Sequence, residues 1–321
     1  MNAKHWKPLV SICAFLALVT QLEAIDVKPD QLKQKAGEPI ATLDIENQSG
    51  VIGAGEYAGR KYDISYFRIN TGTKDYLLQY RSLPADQATE NSKVLNDSGS
   101  GYGMLKPDPN WYKSGFITAS IEKMSGSDIG CHQGEVRVLK TGGKRVGYDL
   151  VFELEQCSIV VRTVAMAGRD ELFISVKVTN YNTEANLVTG FKGFPMGFGG
   201  EFDRWVHTAS KEISHSGPIG KTTSLDINED HWALLTDHNL ANGGPGQLGL
   251  FWAPEKVEKA TVIHSGNYAI LLNYQGRDIN PEHRFMVCHF DGMSWQGACK
   301  RMVELAEEAP SLIKQALDGW D

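Results

Sequence analysis

The chain has 321 residues, 41% of them hydrophobic and 22% charged, with 33 Gly, 12 Pro, 5 Cys and a formal net charge of −7. These proportions exclude a disordered polyelectrolyte, a collagen-like repeat and a small disulfide scaffold. The acidic balance argues against a general nucleic-acid binder, whose basic surface must displace counterions from phosphates.

Residues 1–24 have a basic start (Lys4, Lys7), an apolar stretch from Pro8 to Val19 and a short polar tail ending in Ala24. This is the three-part form of a secretory signal, too short to span a bilayer as a helix of about 20 residues. Cleavage near Ala24 is expected, with a secreted or periplasmic product and no membrane insertion. Cys131, Cys157, Cys288 and Cys299 then remain. They allow two disulfides, with Cys131–Cys157 and Cys288–Cys299 the sequence-local pairs, or four free thiols.

From Tyr62 onward, runs of β-branched and aromatic residues recur between Gly, Asn, Asp and Pro, which predicts strands. One series is Tyr62–Ile69, Tyr76–Arg81, Phe116–Ile121, Glu135–Leu139, Tyr148–Leu154, Ile159–Met166 and Leu172–Val178. A second is His231–Thr236, Leu248–Ala253, Ala260–Ile263, Tyr268–Tyr274 and Arg284–Phe290. Leu172, Ile174, Val176 and Val178 alternate with Ser175 and Lys177, the pattern of a half-buried strand, whereas Ile159–Val164 is apolar on both faces. Thr141-Gly142-Gly143-Lys144 and Gly168-Arg169-Asp170 read as hairpin turns. Helix is expected only at about 294–317, where Ser294 is a candidate N-cap and Trp295, Ala298, Met302 and Leu305 follow at helical spacing. About a dozen strands without αβ alternation predict an all-β protein, a large antiparallel β-sandwich, as one domain over 25–321.

Residues 161–180, Val-Arg-Thr-Val-Ala-Met-Ala-Gly-Arg-Asp-Glu-Leu-Phe-Ile-Ser-Val-Lys-Val-Thr-Asn, resemble the strand–turn–strand core of the galactose-mutarotase-like super-sandwich. Aldose epimerases, several polysaccharide lyases and accessory domains of glycoside hydrolases share that architecture, so the resemblance implies a carbohydrate partner. Residues 236–244, Thr-Asp-His-Asn-Leu-Ala-Asn-Gly-Gly, resemble the epimerase loop that carries a catalytic His, without its aromatic residues.

Ser216-Gly217-Pro218-Ile219-Gly220-Lys221-Thr222 contains the Gly-Lys-Thr of a phosphate loop, but His215 stands where the first glycine is required. The unusual region is 190–268. It opens with glycines alternating with aromatics from Gly190 to Gly200, and it holds His207, His215, His231, His238 and His264. Rings that stack on pyranose faces and polar groups that bond hydroxyls are what a sugar cleft requires. If Glu201–His207 is extended, Glu201, Asp203, Trp205 and His207 share one face and Arg204 takes the other.

The expected function is a secreted carbohydrate-active enzyme, a polysaccharide lyase acting by β-elimination on a uronic-acid polysaccharide or oligosaccharide. His207 or His238 is the candidate base and Tyr268 the acid. Arg204 is the group that neutralises the sugar carboxylate, with Arg162 and Arg277 as substitutes. Glu201, Asp203, Trp205, Asn239, Asn242 and His264 are candidate substrate-binding residues. The alternatives are a non-catalytic glycan-binding protein, a hydrolase using Glu201 and Asp203, and an epimerase pairing His207 or His238 with Glu282. No cofactor is expected, and no metal, because His207, His215, His238 and Asp237 have no paired ligand spacing.

Overall fold

The computed structural model describes residues 38–51, 58–82, 102–106, 117–193, 204–214, 222–238, 247–254, 257–264 and 270–320. Pro39–Asp321 form a compact unit. Among the described residues three antiparallel sheets build it. The first has five strands in the order β4 (Tyr102–Lys106), β3 (Asp75–Ser82), β2 (Lys61–Asn70), β1 (Ala41–Val51) and β7 (Gly142–Gly143). The central sheet has nine: β13 (Glu212–Ser214), β12 (Arg204–Thr208), β15 (Trp232–Asp237), β16 (Gln247–Trp252), β19 (Glu282–Phe290), β10 (Leu172–Thr179), β9 (Ser158–Met166), β8 (Arg145–Glu153) and β6 (Gly134–Lys140). The third runs β14 (Thr222–Ser224), β17 (Lys259–His264), β18 (Ile270–Ile279), β11 (Glu184–Gly193) and β5 (Ile117–Ile121).

One face of the central sheet packs against both five-stranded sheets. Phe67 of β2 stacks on Tyr148 of β8 with ring centroids 3.8 Å apart, and Phe191 of β11 meets Phe285 of β19 edge to face at 4.6 Å. The other face is covered by two helices, α1 (Trp295–Ala306) and α2 (Ala309–Leu317). The chain is thus an all-β sandwich with a short helical layer at its C-terminal end. Among the described residues no helix is long and apolar enough to cross a membrane.

The helical layer corrects the half-buried reading of Leu172–Val178. Leu172, Ile174, Val176 and Val178 enter the core between the sheets, but Phe173 enters a second apolar cluster under the helices and Ser175 is buried as well; only Lys177 is exposed. β9 is buried on both faces as its composition predicts, with Val161 and Ala165 in one cluster and Val164 and Met166 in the other.

Local signals explain the joints. Ser294 has extended backbone and its Oγ accepts the Gly297 N–H at 3.2 Å, the side-chain cap that a first helical turn needs. Gly168 turns the β9–β10 hairpin at φ +73°, and its N–H donates to Thr71 O at 2.6 Å. Gly142 and Gly143, in the β6–β8 turn, add to the edge of β1 opposite Thr42 and Ala41. Gly190–Gly193, the start of the stretch in which glycines alternate with aromatics, belong to β11, paired with Asn273–Ile270 of β18. A strand begins at Thr222, where a phosphate loop would require a helix. Among the described residues Cys131, Cys157, Cys288 and Cys299 are free thiols, Cys157 and Cys288 buried.

Candidate functional site

β12 lies one strand from the edge of the central sheet, between β13 and β15. Its alternation puts Val206 in the sandwich core and turns Trp205 and His207 toward the helical face, as the extended reading of this segment requires. β12 and β13 form a tight hairpin in which His207 stands opposite Glu212. The Thr208 N–H donates to Lys211 O at 2.9 Å, and the Lys211 N–H donates back to Thr208 Oγ1 at 3.1 Å. Asp230, fully buried, holds the turn from outside by accepting the Ser210 N–H at 2.9 Å and the Ser210 hydroxyl at 3.0 Å. Burial opposes ionisation of that carboxyl, but the hydrogen bonds from Thr208, Ser210 and Asp226 outweigh it and hold its pKa below the usual range.

On the other side, β15 pairs with β12 and delivers His238 just past its end. The Nε2 atoms of His207 and His238 stand 3.1 Å apart. A hydrogen bond between two such nitrogens requires one to carry a proton and the other a lone pair. Glu212 Oε1 lies 3.6 Å from His207 Nδ1. The indoles bracket the pair: Trp205 stacks on His238 within 3° of parallel at 5.4 Å, and Trp295, the first residue of α1, stacks on His207 at 4.8 Å and on His238 at 4.5 Å. His207 is buried, while His238, Trp205 and Trp295 are half-buried. Burial pushes His207 below its ordinary pKa; the Glu212 carboxylate opposes this and His238 adds to it. Cys299, one turn further along α1, is pushed up to about 11, first by burial and then by Glu212.

Trp205 and His207 share a face in the sequence reading and His238 is offered there separately; the structure brings the three side by side. Two other residues of the cluster are not among the sequence candidates. Glu212 follows His207 by five residues, and the signal that pairs them is the tight Thr208-Ala209-Ser210-Lys211 turn. Trp295 reads as a core position of an amphipathic helix, and its role as a lid over the imidazoles depends on where α1 docks. Arg204 pairs with Asp237 in the β12–β15 ladder, and His264 ends β17 in the third sheet, away from the central one. Tyr268, Glu201, Asp203, Asn239, Asn242 and His215 lie outside the described residues. Arg162 cannot serve as the expected substitute. It is held by Asp149 in a bidentate pair at 2.8 and 3.0 Å, and it lies on β9, five strands from β12, about 24 Å at ~4.8 Å per strand. Arg277 lies on β18, in a different sheet.

No family model and no curated protein sequence matches the chain. Among solved structures it is similar to the alpha-N-acetylgalactosaminidase NagBb from Bifidobacterium bifidum, with TM-score 0.45 and 9% identity over 77% of this chain and 38% of that one. The Slr1438 protein from Synechocystis gives 0.39 and 8%, covering 70% of this chain and 96% of that one. The GH36 alpha-galactosidase AgaA from Geobacillus stearothermophilus gives 0.32 and 10%, covering 75% and 41%. The chain thus spans less than half the length of either glycosidase. With TM-scores below 0.5, these likenesses decide neither fold family nor activity.

Proposed function

We propose that this chain is an exported carbohydrate-active enzyme, a lyase that cleaves a uronic-acid polysaccharide by β-elimination. The observation that supports the reading is the meeting of two imidazoles and two half-buried indoles at one edge of the sandwich. Indole faces suit the apolar face of a pyranose, and imidazoles exchange protons near neutral pH.

In such a reaction a base removes the C5 proton, the C–H electrons form the C4–C5 double bond, and the C4–O bond breaks while an acid protonates the departing oxygen. The adjacent carboxylate must be neutralised first, or the C5 proton is not acidic enough. Two imidazoles whose Nε2 atoms meet can serve in two ways. One of them, in its neutral form, takes the proton, or both together hold a positive ion beside the carboxylate, in which case a hydroxide carried by that ion takes the proton and leaves as water. His238 is the more exposed of the two and so the one that a sugar reaches first. Tyr268 remains the acid of this reading.

Incubation of the protein with alginate, pectate, ulvan and glycosaminoglycans is expected to produce the near-ultraviolet absorbance of an unsaturated sugar on at least one polymer, and His238→Ala is expected to abolish it. Silence on every polymer, together with glycan-array binding that survives His207→Ala and His238→Ala, would replace the lyase with a glycan-binding protein.

A further inference from the structure

We infer that His207, His238 and Glu212 form a binding site for one divalent transition-metal ion of the zinc class. Geometry carries the inference. Two imidazole nitrogens bound to one ion at 2.0–2.1 Å with a tetrahedral angle between them stand about 3.3 Å apart; the two Nε2 atoms stand at 3.1 Å. One ligand atom from each of His207, Glu212 and His238 falls within 4.8 Å of the other two. Glu212 Oε1 stands 3.6 Å from His207 Nδ1, on the far side of the ring from Nε2, so the half-exposed Glu212 side chain must change rotamer to bring a carboxylate oxygen to the ion.

The positions are built rather than accidental. His207 and Glu212 are cross-strand partners in a hairpin whose turn is fixed by Asp230. The ring planes are set by stacking, His207 against Trp295 and His238 against both Trp205 and Trp295. Ligands oriented before the ion arrives lose little freedom on binding it.

Donor chemistry selects the ion. Two imidazoles and one carboxylate suit zinc, cobalt, nickel or copper, whereas calcium and magnesium take all-oxygen shells. Three protein ligands leave a fourth position open, the arrangement of a reactive rather than a purely structural zinc site. The inference rests on the reading of this cluster as the chemical centre and deepens it, because a cation there supplies the charge that arginine was expected to bring to the sugar carboxylate.

The test uses untagged full-length protein stripped by a chelator and titrated with cobalt(II). One equivalent is expected to bind and give the intense visible bands of a four-coordinate ion, with zinc displacing it. Glu212→Gln should weaken binding by more than about 100-fold, beyond the ~10- to 100-fold loss expected of a group that only orients a ligand, and unchanged affinity would remove Glu212 from the ligand set. His238→Ala should abolish the bands, while His231→Ala, at an exposed histidine outside the cluster, leaves them unchanged. Far-ultraviolet dichroism of each variant separates lost binding from lost folding. Absence of the bands in the folded wild type, or cobalt binding that survives His238→Ala, would overturn the site. Binding is read without sugar, so the two readings fail separately. Turnover that persists after chelation leaves the lyase and removes the ion from it; metal binding without turnover on any polymer leaves the ion and removes the lyase.

Discussion

His283 stands on β19 with its side chain turned into the sandwich, where Nδ1 meets Thr189 Oγ1 at 3.1 Å and Nε2 has no hydrogen-bond partner among the described residues. Phe285 meets its ring edge to face at 6.1 Å. Burial alone pushes its pKa down to about 4. In the unfolded chain the imidazole returns to about 6.5, so between these values the unfolded state binds a proton that the native state refuses. Stability therefore falls as pH drops through that window, by about 3 kcal/mol in all, and the loss is complete below the native value. Urea titrations at about pH 7 and about pH 4.5 should show this loss in the wild type and a much smaller one in His283→Gln; equal losses would remove His283 as the cause. The same scale shows what the sequence could and could not reveal of the candidate site. Trp205 and His207 were legible because a period of two decides which residues share a strand face. His238 was legible as a member of a histidine-rich stretch and through the likeness of residues 236–244 to an epimerase loop, but not as a neighbour of His207, since that place follows from β12–β15 register. Glu212 was not legible as a partner, because one exposed carboxylate after a turn looks like any other.

At the scale of the element, the docking of α1 decides whether Trp295 covers the imidazoles. The helix lies across β15 and β16, and Gly249 of β16 makes the close approach possible. A Cβ built there would stand 2.4 Å from Met302 Sδ and 3.2 Å from Phe290 Cε2. Met302 is fully buried, so its side chain has little space into which to retreat. Gly249→Ala should therefore cost about 1–3 kcal/mol as an overpacked core position and lift the helix from the sheet. Thermal melts would read the first effect, and a change in the fluorescence of a Trp295-only variant would read the second; an unchanged melting temperature would mean that Met302 repacks freely. Element boundaries were legible wherever both faces of a strand are apolar, as in β9, and wherever a cap is present, as at Ser294. β11 was missed because its buried face reads Ala185, Leu187, Thr189 and Phe191, two of the four weak as apolar signals, and Gly190 and Gly193 imitate a loop. What makes it a strand is non-local: partners on both sides, β18 and β5, that a linear reading does not see.

For the whole molecule, the question is whether the helical layer unfolds with the sandwich or apart from it. The two apolar clusters are separate in space but share strands. In β10, Leu172 and Ile174 enter the inner cluster while Phe173 between them enters the outer one; in β19, Phe285 and Val287 alternate in the same way with Met286 and Cys288. Losing the outer cluster exposes one face of the central strands whose other face forms the main core, so neither can melt without loosening the other. The C-terminal end is also tied back across the sheet: Arg145 of β8 donates to the Ala316 and Asp318 carbonyls at 3.1 and 2.6 Å, closing α2 with a positive charge where the helix dipole is negative. Met302→Ala should therefore lower the stability of the entire unit by about 2–5 kcal/mol, the usual cost of emptying a fully buried Met position. It should do so without splitting the transition. Far-ultraviolet dichroism, dominated by the sheets and helices together, and near-ultraviolet dichroism of the tryptophans should shift by the same amount and remain superimposable. Two resolved transitions in the variant, the first confined to helical signal, would mean that α1 and α2 are an independent layer, and that the lid over His207 and His238 can open while the sandwich stays folded.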